Sequence, residues 1–287
     1  MTNSCEPFLG SEALASRALN RHQLRSRFSA IYPDVYLAKD VQPTLRQRIT
    51  GAWLWSARRG IVAEFAAAAI HGTKWIDDDT PIELIHANPR APNGVVTRRI
   101  SPLEGEYERC GAITCTTAAR TGFDIGSRAR GRLATRVAHL DALMHATKVT
   151  TGAVAEVAAR HPGSPGLRQL EAALELVDGG AASPRETWLR LLLIGDGLPA
   201  PTTQIPVVGD GRAIAYLDMG WEDLMVAVEY DGDQHRTDRA QYVKDIGRIE
   251  LLERMGWIIV RVVAEDRPAD ILRRVHDAIA RRSSIVR

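Results

Sequence analysis

The sequence predicts an α/β protein, α+β overall, in three parts spanning residues 1–75, 76–180 and 181–287. Three observations carry this expectation. Ala213–His235 (AIAYLDMGWEDLMVAVEYDGDQH) alternates with a period of two, as a β-hairpin does, but places acids where a sheet normally keeps apolar side chains. Trp257–Val263 (WIIVRVV) is an almost unbroken apolar run of the buried-strand type. From Ser183 onward the order of elements reads helix, strand, strand, strand, helix, strand, helix.

The first part opens with two short helices, Glu12–Ala18 and Arg21–Phe28, broken at Leu19-Asn20. Ile31–Leu37 follows as a short strand pair. Two short helices and a β-wing make a winged helix-turn-helix outline. In the second helix Leu24 and Phe28 face inward, which leaves Arg21, His22 and Arg25 outside and able to reach phosphates. Solvated surface charge is the plainer reading of those three. Thr44–Ala57 and Ile61–His71 read as two further helices, the second Ala-rich and packed.

The middle part is a connecting region. Pro81–His86 is strand-like, Asn88-Pro89 and Ala91–Gly94 are turns, and Val95–Ile100 returns as a strand. Ala112–Thr114 makes a third strand. A helix capped by Thr116 or Thr117 comes next, and Arg120 and Asp124, one turn apart on it, form a structural ion pair. Leu133–Ala146, Thr151–Arg160 and Gly166–Val177 are helices, and Asp178–Ala182 is the better domain break.

The last part carries the chemistry. Ser183 as N-cap, Pro184 at the first helical position and Glu186 three residues on make a capping-box start. Glu186 therefore has a local role open to it as well as a catalytic one. Thr203–Val207 is a short strand. In the hairpin, a tight turn near Glu222–Leu224 sets Asp218 roughly opposite Val228 or Glu229. Ala227, Glu229 and Asp231 share one face, and Val226, Val228 and Tyr230 the other. Converging carboxylates repel one another and lose hydration, a cost that a hard cation offsets; Mg²⁺ suits an all-oxygen donor set, with Mn²⁺ as its substitute. A solvated hairpin edge with scattered charge is the alternative. Thr237–Met255 reads as a long helix with Gln241, Asp245 and Arg248 off its apolar stripe, and Pro268–Arg282 closes the chain.

This combination resembles the PD-(D/E)XK nuclease superfamily, and within it the domain-of-unknown-function 559 group related to the very-short-patch-repair (Vsr) endonucleases. The matching residues are Glu186, Gln204, Asp218, the run Val228-Glu229-Tyr230-Asp231-Gly232, His235, Asp245, Arg248 and Leu252…Gly256-Trp257, over about Ser183–Ala280. The resemblance implies a restriction-endonuclease-like αβββαβ domain. It implies Asp218 and Glu229 as metal ligands with Glu186 directly or through water, Asp231 and His235 as helpers in the reaction, and Arg248 on the scissile phosphate with Asp245 orienting it or His235. A structural Asp245–Arg248 pair on one helix and a His235 that caps the loop before Thr237 stay open beside these roles. Where the superfamily places a lysine, two residues after the second acid, this sequence has Asp231. Vsr-like enzymes also lack that lysine, and His235, Lys244 or the water itself remain open as the source of activation. The N-terminal outline through Val35-Tyr36, and the stretch Thr116–Asp124, resemble AbiEi-type antitoxins.

Composition narrows the classes. At 45% hydrophobic and 25% charged residues the chain has ample material for cores, and a net charge of +2 means that any basic patch must be local. Cys5, Cys110 and Cys115 are odd in number and lack C-x-x-C spacing, so the sequence predicts neither a disulfide framework nor a zinc site. A reducing cytoplasm is the expected setting, with no signal peptide and no membrane span. The function expected is a metal-dependent DNA endonuclease. The competing expectation is an antitoxin-like DNA-binding regulator whose nuclease fold no longer cleaves; a metal enzyme acting on small phosphoesters has only the acids behind it.

Overall fold

The computed structural model describes residues 6–129, 131–209, 211–231 and 239–285. The chain divides into two compact units, 1–175 and 176–287, and its described residues form mixed α/β structure with three sheets.

The first unit starts with β1 (Phe8–Leu9), α1 (Gly10–Ala15), α2 (Arg21–Arg27), β2 (Phe28–Tyr32) and β3 (Val35–Ala38). The strands pair antiparallel in the order β1-β3-β2. A capping box between Asn20 and Gln23 starts α2. Leu24 and Phe28 are buried with Ala13, Leu19 and Ala38, as predicted, but Phe28 opens β2 and pairs with Ala38 instead of ending the helix. By contrast α1 begins two residues earlier than its sequence suggests. Asp34, in the turn between β2 and β3, caps it from a distance: Ser11 N–H donates to Asp34 Oδ1 at 2.9 Å, and Gly10 N–H to the Asp34 carbonyl at 2.8 Å. No local pattern encodes such a tertiary cap.

Next come α3 (Leu45–Trp55), β4 (Ile61–Ala63), α4 (Glu64–Ile70), β5 (Ile82–Ile85), β6 (Val95–Arg98), β7 (Tyr107–Cys110) and β8 (Ile113–Thr116). The sheet order is β6-β5-β4-β8-β7. Ile61–Ala63 is a strand where the apolar pattern predicts helix. It lies between β5 and β8 with Val62 fully buried, and an apolar run enclosed on both faces has no period to betray its state. The β5–β6 pair is parallel, so Val95 does not return along its neighbour as a hairpin strand would. One core joins Val62, Ile82, Leu84 and Cys115 of this sheet to Ile49 and Ala52 of α3 and to Tyr32 and Val35 of the first sheet. That core runs straight across the expected 75/76 boundary.

Four helices complete the unit: α5 (Ala118–Arg128), α6 (Leu133–Thr147), α7 (Thr151–Arg160) and α8 (Leu167–Leu174). Thr117 caps α5. Arg120, 2% exposed, donates from Nε to Asp124 at 3.1 Å, the i,i+4 pair expected. The same guanidinium also reaches buried Glu106, whose other oxygen lies 2.7 Å from His161 Nε2. This shared pairing satisfies a buried charge that would otherwise be costly.

The second unit is α9 (Pro184–Gly195), β9 (Thr202–Gly209), β10 (Arg212–Trp221), β11 (Val226–Asp231), α10 (Arg239–Arg254), β12 (Ile258–Val263) and α11 (Pro268–Ile285). This is the order read from the sequence. The sheet runs β12-β11-β10-β9, with only the β11–β12 pair parallel. Val226, Val228, Val260 and Val262 pack on one face against Leu189 and Leu193 of α9 and Ile271 and Val275 of α11. Ala227, Leu217 and Ile205 pack on the other face with Leu252 of α10 and with Trp257. The two faces of β11 divide as its alternation predicts. Among the described residues no helix is long and apolar enough to cross a membrane.

Candidate active site

The site grows from the β10–β11 register. Met219 faces Val228 and Gly220 faces Ala227, and the paired register ends there; Asp218, the next residue of β10, reaches β11 through its side chain. Tyr230 N–H donates to Asp218 Oδ2 at 2.9 Å, which holds the carboxylate across the two strands. Glu186 stands in the first turn of α9, and it and Glu229 are both buried. Asp218 registers these neighbours. Burial first, then the charge of Glu186 and that of Glu229, raise its pKa to about 7, against the Tyr230 N–H and Arg248, which lower it. Three acids widely spaced in the chain thus share one electrostatic environment.

Each acid also has a partner of its own. Glu186 accepts from Ser183 Oγ at 2.9 Å and from Ala182 N–H at 2.8 Å, so it completes the helix start that its spacing announces. Arg248, on α10, holds Glu229 with two bonds of 2.9 and 2.7 Å and also donates to the Tyr216 carbonyl at 3.3 Å. Asp231 pairs with Arg261 of β12. Asp218, Glu229 and Glu186 do not bring one oxygen each within 4.8 Å of one another, a spacing that among the described residues only a His/Cys/Cys group reaches. The acids are gathered, but more loosely than a closed ligand shell. His235 lies outside the described residues, as do Lys244 and Asp245 as side chains.

The donor set still fits a hard divalent cation. It is all oxygen, and the ionisation of Asp218 is opposed first by burial and then by the charges of Glu186 and Glu229, a cost that a bound cation would offset. Arg248 supplies part of that compensation at Glu229. Sequence reading missed Arg261, although it is the one charged residue in the run Trp257–Val263 and pairs in register with Glu229. A lone cation inside a buried strand was the signal available.

In the first unit, Arg21, His22 and Arg25 are all exposed on α2, and Arg27 joins them. Arg21, His22 and Arg25 share one face of the helix that follows the turn after α1, and Arg27 lies off that face.

The chain is similar to two proteins of Mycobacterium tuberculosis. "Uncharacterized protein MT2308" of strain CDC 1551 / Oshkosh is 25% identical over 236 residues, which cover 82% of this chain and 85% of that protein. "Uncharacterized protein Rv2248" of strain H37Rv matches to the same extent. The matched length exceeds either compact unit, so the similarity takes in residues of both. No family model matches the chain, and no solved structure does.

Proposed function

We propose that the chain is a metal-dependent DNA endonuclease, with a restriction-endonuclease-like, Vsr-type site in its C-terminal unit and a winged-helix-like DNA-binding face in its N-terminal one. The observation that carries this reading is the charge environment of Asp218: a carboxylate pushed to about pH 7 by burial beside Glu186 and Glu229, on a sheet in αβββαβ order. Asp218 and Glu229, with Glu186, would hold Mg²⁺ or Mn²⁺. Such an ion supplies polarisation of the phosphoryl oxygen and eases deprotonation of water.

The remaining steps fall to the chain itself. Arg248, poised over Glu229, positions an oxygen of the scissile phosphate by its planar fork. Glu186 stays fixed by its cap bonds within electrostatic reach of Asp218. Asp231 takes the place of the superfamily's lysine and is paired with Arg261, so proton removal from water falls to another group, His235 among them. Arg21, His22 and Arg25 bind the sugar-phosphate backbone.

The test uses purified full-length protein with single-stranded, duplex and mismatched DNA, in Mg²⁺, in Mn²⁺ and in chelator. Metal-dependent nicking that disappears in Glu229→Gln, with the variant's circular dichroism unchanged, is the expected result. Tight binding with no cleavage of any substrate would favour the second reading, an AbiEi-like DNA-binding regulator. One observation speaks for that alternative: Glu186, Glu229 and Asp231 are each already engaged by groups of the chain.

A further inference from the structure

A second cluster of metal-binding chemistry stands in the N-terminal unit. In the β7–β8 hairpin Cys110 faces Ile113 and Glu108 faces Cys115, so strand alternation puts Glu108, Cys110 and Cys115 on one side. Gly111, at φ +66°, makes the tight turn between them. The two free thiols lie 2.8 Å apart, so to share a tetrahedral Zn²⁺ at Zn–S bonds of about 2.3 Å their sulfurs must part to roughly 3.7 Å. His71, which ends α4, approaches from the neighbouring element, and its Nε2 lies 2.8 Å from the Thr116 carbonyl. That contact assigns the proton to Nε2 and leaves Nδ1 with the lone pair, the arrangement usual in ligating histidines. One His71 ring nitrogen and both sulfurs lie within 4.8 Å of one another, and Glu108 Oε1 is 4.0 Å from His71 Nε2.

We propose that His71, Cys110 and Cys115 bind Zn²⁺, with Glu108 or water as the fourth ligand. Two sulfurs and an imidazole suit this borderline-soft ion far better than Mg²⁺, and three protein donors with one adjustable position fit its tetrahedral preference. The burial gradient suits it too: Cys115 is fully buried, Cys110 and His71 are part-buried, and Glu108 is half-exposed at the rim. Spacing hides the site in the sequence. C-x-x-C knuckles present both sulfurs from one turn, whereas here a two-residue hairpin turn brings residues 110 and 115 together and a helix end adds His71.

The role is structural. Zinc here would fasten the hairpin to the end of α4, next to the strand that leads into the buried Arg120 pairing. A disulfide is the competing state of the two sulfurs, and the metal titration and the mass of the 110–115 peptide separate the two.

The experiment uses the full chain, purified under reductant without added metal and then titrated with Zn²⁺ and with Co²⁺. About one equivalent of zinc should bind, and cobalt should give a thiolate-to-metal charge-transfer band that zinc displaces. Cys110→Ser and Cys115→Ser should abolish the band, and His71→Gln should weaken zinc binding by more than about 10-fold, while Cys5→Ser leaves both unchanged. Cys110 and His71 are part-exposed, so their variants remain informative if Cys115→Ser does not fold. Failure of the reduced chain to bind zinc overturns the proposal. So does a cobalt band indifferent to Cys110, or a peptide spanning 110–115 that is two hydrogens lighter in the freshly reduced protein.

Discussion

Asp218 ties local chemistry to the stability of the fold. Its folded pKa, about 7, lies above the ordinary value near 4 of an unfolded aspartate. The folded state therefore holds this proton more tightly than the unfolded one, and the stability it contributes is full below about pH 4 and lost as pH rises through 7. In metal-free buffer the wild-type chain should lose roughly 1–3 kcal/mol between acid and mildly basic pH, and Asp218→Asn should lose less. Mg²⁺ should return that stability near pH 8 but not near pH 5, because the ion competes with the proton. Melts with the same pH slope in both proteins would remove the shared charge environment from the account. Glu229 gives a second test. It is 6% exposed and held by Arg248, so Arg248→Ala leaves a buried carboxylate uncompensated. The cost should be roughly 2–4 kcal/mol in urea unfolding, below the full range for buried pairs because Arg248 is partly exposed. Adding Glu229→Ala should recover part of it. That Asp218 comes near Glu229 was legible from the hairpin, whose turn set it roughly opposite Val228 or Glu229. The grip of Arg248 on Glu229 was not, since it depends on where α10 crosses the sheet.

At the level of elements, the β10–β11 hairpin depends on a close approach of two backbones. A Cβ at Gly220 would lie 2.3 Å from the Val226 carbonyl and 2.9 Å from Ala227 Cα, and backbone cannot turn aside as a flexible side chain can. Gly220→Ala should therefore separate Asp218 from Glu229 and cost several kcal/mol, of the order seen for overpacked cores. Gly195→Ala, in α9 with nothing within 4 Å of its new methyl, should be near neutral and serves as the control. Equal melting temperatures for the two variants would mean that the strands can yield. The same unit shows what sequence conveys well. Ser183, Pro184 and Glu186 announce α9 because the cap bonds join residues three apart. Ile61–Ala63 and the cap that Asp34 places on α1 were illegible, because each is decided by a partner distant in sequence. Strand β7 was missed for a related reason: Tyr107–Cys110 is mostly exposed, with no apolar alternation to mark it.

For the whole molecule the question is whether one DNA serves both units. A net charge of +2 gives no general attraction for nucleic acid, so the proposed DNA binding would rest on local patches such as Arg21, His22 and Arg25, all exposed on α2. Each phosphate neutralised releases about 0.9 counterion, so Arg21→Ala with Arg25→Ala should lower the salt slope of affinity by about two and weaken binding most at low salt. The acids of the C-terminal unit are untouched by this change. If the proposed division of labour holds, saturating protein should therefore restore nicking in the double variant. Cleavage that stays low at saturation would instead mean that the basic face positions the substrate as well as gathering it. An unchanged affinity and slope would reassign α2 to protein contacts, and the DNA would then have to be held by the C-terminal unit alone.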